Sequence, residues 1–333
     1  MSSRLIRNLV LAVLFGMLAC VPATHAGPSA VLVQAGLQGA QGATPPLQAR
    51  TASDLTLPNR KDSVKFLAMG DMGTGDPPQY EIAKQMVAWR SKFPFEFVIM
   101  LGDNLYGSQE PRDFVAKFET PYKPLLDGGV KFYAALGNHD NQTNRFYKPW
   151  NMNGERFYSY SKKNVKFFVL DSDYIDPKQL QWIEQELKTS REDWKICYFH
   201  HPLYSDGGRH GSEVDLRVTL EPLFMKYGVN VVYSGHDHIY ERLKPQNGIY
   251  YFVSGSGGQL RPGDLKKSGM TAAGFDSDQT FMLNEIDGDD LYFQVLTRTG
   301  KTVDSGSIHR QAKPTTEIRN CTLQTANCQV NLQ

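Results

Sequence analysis

Phe95-Glu96-Phe97-Val98-Ile99-Met100-Leu101-Gly102-Asp103, residues 95–103, is a mostly apolar run that stops at a glycine and delivers a carboxylate. The same arrangement recurs at Met69-Gly70-Asp71, Leu136-Gly137-Asn138-His139-Asp140, Tyr198-Phe199-His200-His201 and Tyr233-Ser234-Gly235-His236-Asp237-His238. Short apolar runs bounded by small residues read as buried strands. Between them lie stretches with helical spacing. Ile82, Met86 and Trp89 follow the start signal Asp76-Pro77-Pro78, and further helices are predicted near Pro111 to Phe118, over Pro177 to Lys188 and over Val214 to Tyr227. This alternation predicts an α/β fold, whose sites are built in loops at strand carboxyl ends.

The other predicted strands fill in the pattern. Val64 to Met69 opens the alternation, Phe132 to Leu136 continues it, and Phe157 to Tyr160 pairs with Val165 to Leu170. Lys195 to Phe199 and Val229 to Tyr233 belong to a second alternation. The C-terminal third is mostly strand, at Tyr250 to Val253, Phe281 to Ile286, Leu291 to Leu296 and Ser305 to His309. No internal repeat of solenoid period is present. The 333 residues carry 36 Lys+Arg against 35 Asp+Glu, a net charge of +1, so the basic surplus that a general nucleic-acid or anionic-membrane binder needs is missing. With 41% hydrophobic and 21% charged residues, the composition is that of an ordinary globular protein.

The ends have a different character. Arg4 and Arg7, the apolar run Leu9 to Cys20 and the small-residue exit Thr24-His25-Ala26 before Gly27 predict a secretory signal peptide over residues 1–26. The apolar run is too short to span a bilayer. Leu18-Ala19-Cys20 also resembles a lipoprotein cleavage site, although Met17 and Leu18 fit it poorly. The expectation is therefore export to the periplasm or the medium, with lipid anchoring through Cys20 as the lesser alternative. Residues 27–60, rich in Ala, Gly, Gln and Pro, predict a flexible leader before a catalytic domain at 61–310. In an oxidising compartment Cys321 and Cys328, close together in the polar tail 311–333, are a plausible disulfide, whereas Cys197 in its apolar run reads as a small buried hydrophobe.

Each polar block has a plain structural reading by itself, since Gly-Asp after a strand is often a turn and a single His a satisfied polar residue. Five in series, each ending in Asp, Asn or His, argue for a metal site. Six of the eight histidines (139, 200, 201, 210, 236 and 238) fall between residues 139 and 238. Carboxylate and amide oxygens with imidazole nitrogens suit Fe, Zn, Mn or Co and not a thiolate site. One carboxylate bridging two ions ~3.5–4 Å apart is a device for hydrolysing phosphate esters.

The ordered blocks Asp71-Met72-Gly73, Gly102-Asp103-Asn104-Leu105-Tyr106, Gly137-Asn138-His139-Asp140, His200-His201-Pro202 and Gly235-His236-Asp237-His238 resemble the calcineurin-like metallophosphoesterases. The tyrosine three residues after the bridging Asp narrows the resemblance to purple acid phosphatases. Gln179-Leu180-Gln181-Trp182 and Arg191-Glu192-Asp193-Trp194 make it similar to the small, tartrate-resistant type. The resemblance covers roughly residues 62 to 310 and implies a four-layer α/β/β/α sandwich of two mixed sheets flanked by helices. Position by position it implies that Asp71, Tyr106 and His238 bind Fe3+. Asn138, His200 and His236 would hold a divalent ion (Fe2+, Zn2+ or Mn2+), with Asp103 bridging. His200 matches the family ligand, two residues before the proline, and His201 stands where relatives carry another residue. His139 and His210 match histidines that face the substrate, the stretch before His210 being one residue longer than usual. Asp140 and Asp237 are open to two readings: acceptors that orient a histidine, or solvated loop acids. The implied activity is hydrolysis of small-molecule phosphate monoesters by a metal-bound hydroxide, with a phosphodiesterase or nucleotidase on the same scaffold as the alternative. A non-catalytic module with this fold would be expected to have lost ligand positions, and none is lost here.

Overall fold

The computed structural model describes residues 54–310. The described residues all fall within one compact unit. The expected signal peptide, the leader up to residue 53 and the Cys321–Cys328 pairing lie outside the described residues. Among the described residues, no helix is long and apolar enough to cross a membrane.

The first sheet begins with β1 (Val64–Met69), β2 (Phe97–Leu101) and β3 (Lys131–Ala135), which run parallel, in register Phe66 beside Phe97 and Leu101 beside Ala135. The meander β11 (Thr280–Asp287), β12 (Asp290–Thr297) and β13 (Thr302–His309) adds antiparallel to β1, giving the order β13-β12-β11-β1-β2-β3. In the second sheet β5 (Val165–Val169), β6 (Trp194–Tyr198), β7 (Val231–Ser234) and β9 (Tyr250–Ser254) are parallel. β4 (Tyr158–Lys162), β8 (Tyr240–Leu243) and β10 (Thr271–Phe275) extend it antiparallel, in the order β10-β8-β9-β7-β6-β5-β4.

Alternation along the strands decides the layering, because successive side chains point to opposite faces. Phe66, Phe97 and Ile99 of the first sheet meet Phe167, Ile196 and Tyr233 of the second in a shared core. Phe66 stacks on Phe97 with ring centroids 5.4 Å apart and meets the edge of Phe167 at 5.3 Å. Such pairs contribute about 0.5–1.5 kcal/mol each beyond the area they bury. The opposite faces bury Leu67, Val98 and Met100 with Met86 and Trp89 of α1 (Pro77–Arg90), and Phe168 and Cys197 with Ile183 and Phe224. Those last two come from α4 (Pro177–Thr189) and α5 (Val214–Tyr227). Three cores separate four layers, the α/β/β/α arrangement expected.

Three local readings need correction. The helix expected to end near Phe118 is α2 (Pro111–Phe114) followed by a wide π turn at Val115–Glu119 and then α3 (Thr120–Asp127). Pro121, which has no amide proton, stands where the π turn passes into α3, and the carbonyls one turn before it, Ala116 O and Lys117 O, accept from Tyr80 Oη at 2.6 Å and Gln79 Nε2 at 2.5 Å. β8 and β10 were not predicted; Thr271-Ala272-Ala273-Gly274-Phe275 holds two alanines and a glycine, poor strand formers, and pairs antiparallel with β8. Residues 54–60 do not continue a flexible leader. Leu57 is buried in the core under α1, and the Asn59 and Arg60 amides donate to the Glu285 carboxylate at 2.6 and 2.5 Å.

Candidate metal centre

Asp71, Asp103 and Asn138 leave the carboxyl ends of β1, β2 and β3, and His200 and His236 those of β6 and β7. The two sheets present these ends along one edge, and the loops lace across it. The Asp71 amide donates to Gly102 O at 3.0 Å, and the Gly235 amide to His200 O at 2.9 Å. Asp71, Asp103 and His236 have φ of 57°, 50° and 70°, a left-handed conformation that costs a non-glycine residue energy and concentrates at functional sites. The glycine before His236 is there for clearance: a Cβ on Gly235 would stand 2.4 Å from Asp71 Oδ2.

All seven predicted ligands meet in two adjoining groups. Tyr106 Oη lies 2.9 Å from Asp71 Oδ1 and 3.2 Å from His238 Nε2, and the last two are 3.3 Å apart. His200 Nε2 lies 3.0 Å from Asn138 Oδ1, 3.1 Å from His236 Nδ1 and 3.4 Å from Asp103 Oδ1. One donor atom each of Asp71, Asp103 and His200 falls within 4.8 Å of the others, so Asp103 stands between the two groups. His139 stands at the mouth, its side chain half exposed, its ring 4.7 Å from that of Tyr106 and its Nε2 4.0 Å from Asp103 Oδ2. His210 is exposed, with its ring 4.1 Å from that of His236.

Electrostatics test whether these residues suit cations. Asp71 and Asp103 are buried side by side, which is costly without positive charge. Burial lowers the pKa of His200, but the Asp103 and Asp71 charges outweigh it and raise it to about 10. Burial would raise Asp103, yet the His200 charge and hydrogen bonds from His200 and the His139 amide hold it well below the usual carboxylate range. Burial and the carboxylates of Asp71 and Asp103 push the Tyr106 phenol far up. Burial and the His200 charge lower His236 to about 2, so it is a neutral imidazole. A bound cation would answer the same demand, leaving neutral imidazoles and hard anionic oxygens as its ligands. The donor set therefore fits a dinuclear centre.

Asp140 turns out to be neither a solvated acid nor a histidine orienter. It is buried and accepts the amides of Asn104, Leu105 and Gly137 at 3.0–3.1 Å and Asn104 Nδ2 at 2.8 Å, joining the Asp103 loop to the Asn138 loop. Burial and the Asp103 charge raise its pKa to about 7 against those hydrogen bonds. Asp237 is also buried and accepts from Ser205 Oγ at 2.6 Å and from the Gly211 amide, fixing the loop that carries His210. Sequence reasoning missed Gly255-Ser256-Gly257-Gly258-Gln259, the loop after β9. Its Gln259 amide donates to Asp71 O, and a Cβ on Gly255 would lie 2.9 Å from Asp71 Oδ2. The signal was present as a run of small residues at yet another strand end.

A family model for calcineurin-like phosphoesterases matches residues 64–240. The chain belongs to that family. It is 26% identical over 315 residues to tartrate-resistant acid phosphatase type 5 of Homo sapiens, covering 78% of this chain and 96% of the relative. Against purple acid phosphatase 7 of Arabidopsis thaliana it is 28% identical over 249 residues, covering 62% and 75%. Among solved structures, purple acid phosphatase PPD1 from yellow lupin seeds superposes with TM-score 0.62 at 20% identity, covering 76% of this chain and 55% of that one. GAP50, described as the anchor in the inner membrane complex of Plasmodium, gives 0.68 at 19% identity, covering 77% and 91%. These two likenesses establish the phosphoesterase fold.

Proposed function

We propose that this phosphoesterase is a dinuclear-metal acid phosphatase that hydrolyses small phosphate monoesters. The observation that carries the reading is Tyr106, whose Oη sits within hydrogen-bond distance of both Asp71 and His238. Asp71, Tyr106 and His238 would hold Fe3+, for which a phenolate is a hard anionic donor. Asn138, His200 and His236 would hold Fe2+, Zn2+ or Mn2+, and Asp103 would touch both ions. When bound, such a pair neutralises charge on the phosphoryl oxygens and generates a nucleophile from water near neutral pH. The chain's own residues do the rest. His139, half exposed at the mouth, gives its proton to the departing oxygen, and His210, beside His236, binds a phosphoryl oxygen. Asp140 and Asp237 keep the loops under these groups in place. One structural neighbour is described as an anchor, so the fold alone does not carry the argument; the complete donor set does. The grading of residues 1–26 from basic to apolar to small supports export.

The test compares nitrophenyl phosphate with bis(nitrophenyl) phosphate on the purified, metal-analysed protein. A clear preference for the monoester is expected, and a preference for the diester would favour the phosphodiesterase reading. Asp103→Ala should lose the metals and nearly all turnover; a variant that kept both would sink the site assignment.

A further inference from the structure

His201 follows a predicted ligand directly, and along an extended strand its ring would face away from that of His200. β6 has ended at Tyr198, however, and the chain bends before Pro202. The two rings consequently lie 4.9 Å apart, and the His201 ring is 4.3 Å from that of His236. One nitrogen from each of His200, His201 and His236 falls within 4.8 Å of the others. The His201 side chain is only 15% exposed.

The other side of the ring is anchored. His201 Nδ1 lies 2.9 Å from Ser172 Oγ, which also accepts the His201 amide at 3.1 Å. An imidazole fixed at one nitrogen by a protein oxygen offers the other as a ligand, the usual arrangement at metal sites. Among the described residues, the carboxylate that faces Nε2, Asp173 Oδ1 at 3.8 Å, is beyond hydrogen-bond range and leaves Nε2 uncommitted. We propose that His201 is a third imidazole donor to the ion held by Asn138, His200 and His236, and that it makes this position select zinc over manganese. The proposal rests on the dinuclear reading above. Its chemical ground is that imidazole nitrogen suits zinc, whereas manganese favours carboxylate, carbonyl and water oxygen.

The experiment strips the purified protein with chelator, refills it with iron and equal free zinc and manganese, and measures metal per chain by mass spectrometry. His201→Ala should shift the zinc-to-manganese ratio toward manganese by about tenfold or more, since losing an imidazole costs zinc on the order of 10–100-fold in affinity while manganese, which favours oxygen donors, loses less. Ser172→Ala, which keeps the ring and loses its anchor, should shift the ratio the same way by less. It carries the test if His201→Ala does not fold. An unchanged ratio in both variants overturns the proposal, and weakened phosphate inhibition with that unchanged ratio would make His201 a substrate contact instead. Wild-type protein that takes up no metal would overturn the dinuclear reading itself, so the two failures are distinguishable.

Discussion

Tyr106 differs from phenylalanine by one oxygen, and that oxygen is the group shared by Asp71 and His238. Burial and two carboxylates oppose its ionisation, so a phenolate there needs a highly charged cation. A phenolate on ferric iron absorbs in the visible; the iron-loaded protein should therefore be coloured, and Tyr106→Phe should bleach it without changing its melting temperature much. Colour that survives the substitution would remove Tyr106 from the ligand set. His139 has a different signature. If it protonates the leaving group, worth ~10²–10⁴ in rate, His139→Ala should lose far more kcat/KM on glycerol phosphate than on nitrophenyl phosphate, whose anion departs almost unaided. Equal losses with unchanged metal content would leave His139 as a phosphate-positioning residue. Both residues were legible in the sequence because the resemblance of the ordered blocks singles them out and implies these roles. The role of Asp140 was not, because a buried loop carboxylate gathering amides reads the same, in one dimension, as a solvated one.

The elements divide along a similar line. Parallel strands ending in Gly and a ligand announced themselves, since burial on both faces forces an apolar run and the loop that follows must be small. Edge strands and prolines obscured the rest: β10 depends on its neighbour, and the helical segment from Pro111 to Asp127 survives Pro121 and Pro124 by taking a π turn between α2 and α3. Clearance at strand ends makes its own prediction. Gly235→Ala would set a methyl group 2.4 Å from Asp71 Oδ2 and 2.9 Å from Leu101 O. One of these must move, so the variant should lose metal and most activity; full metal occupancy would show that the loop yields at little cost.

Across the whole molecule, the segment before β1 is tied down through Glu285 on β11. That carboxylate is fully buried, faces Lys65 at 4.0 Å and accepts Asn59, Arg60 and Ser63. Removing one partner of such a buried group costs about 3–5 kcal/mol. Glu285→Ala should lower stability to urea by that order with the metal content held constant, and a loss under about 1 kcal/mol would make the tether incidental. The seam between the sheets has a consequence of another kind. Each group of donors draws on both: Asp71 and Tyr106 from the first sheet with His238 from the second, Asn138 from the first with His200 and His236 from the second. Neither sheet owns a complete set, so tight capture has to wait until the halves have joined. The metal that copurifies with any variant thus serves as an assay of assembly, reporting what fraction of the molecules closed their two halves in register.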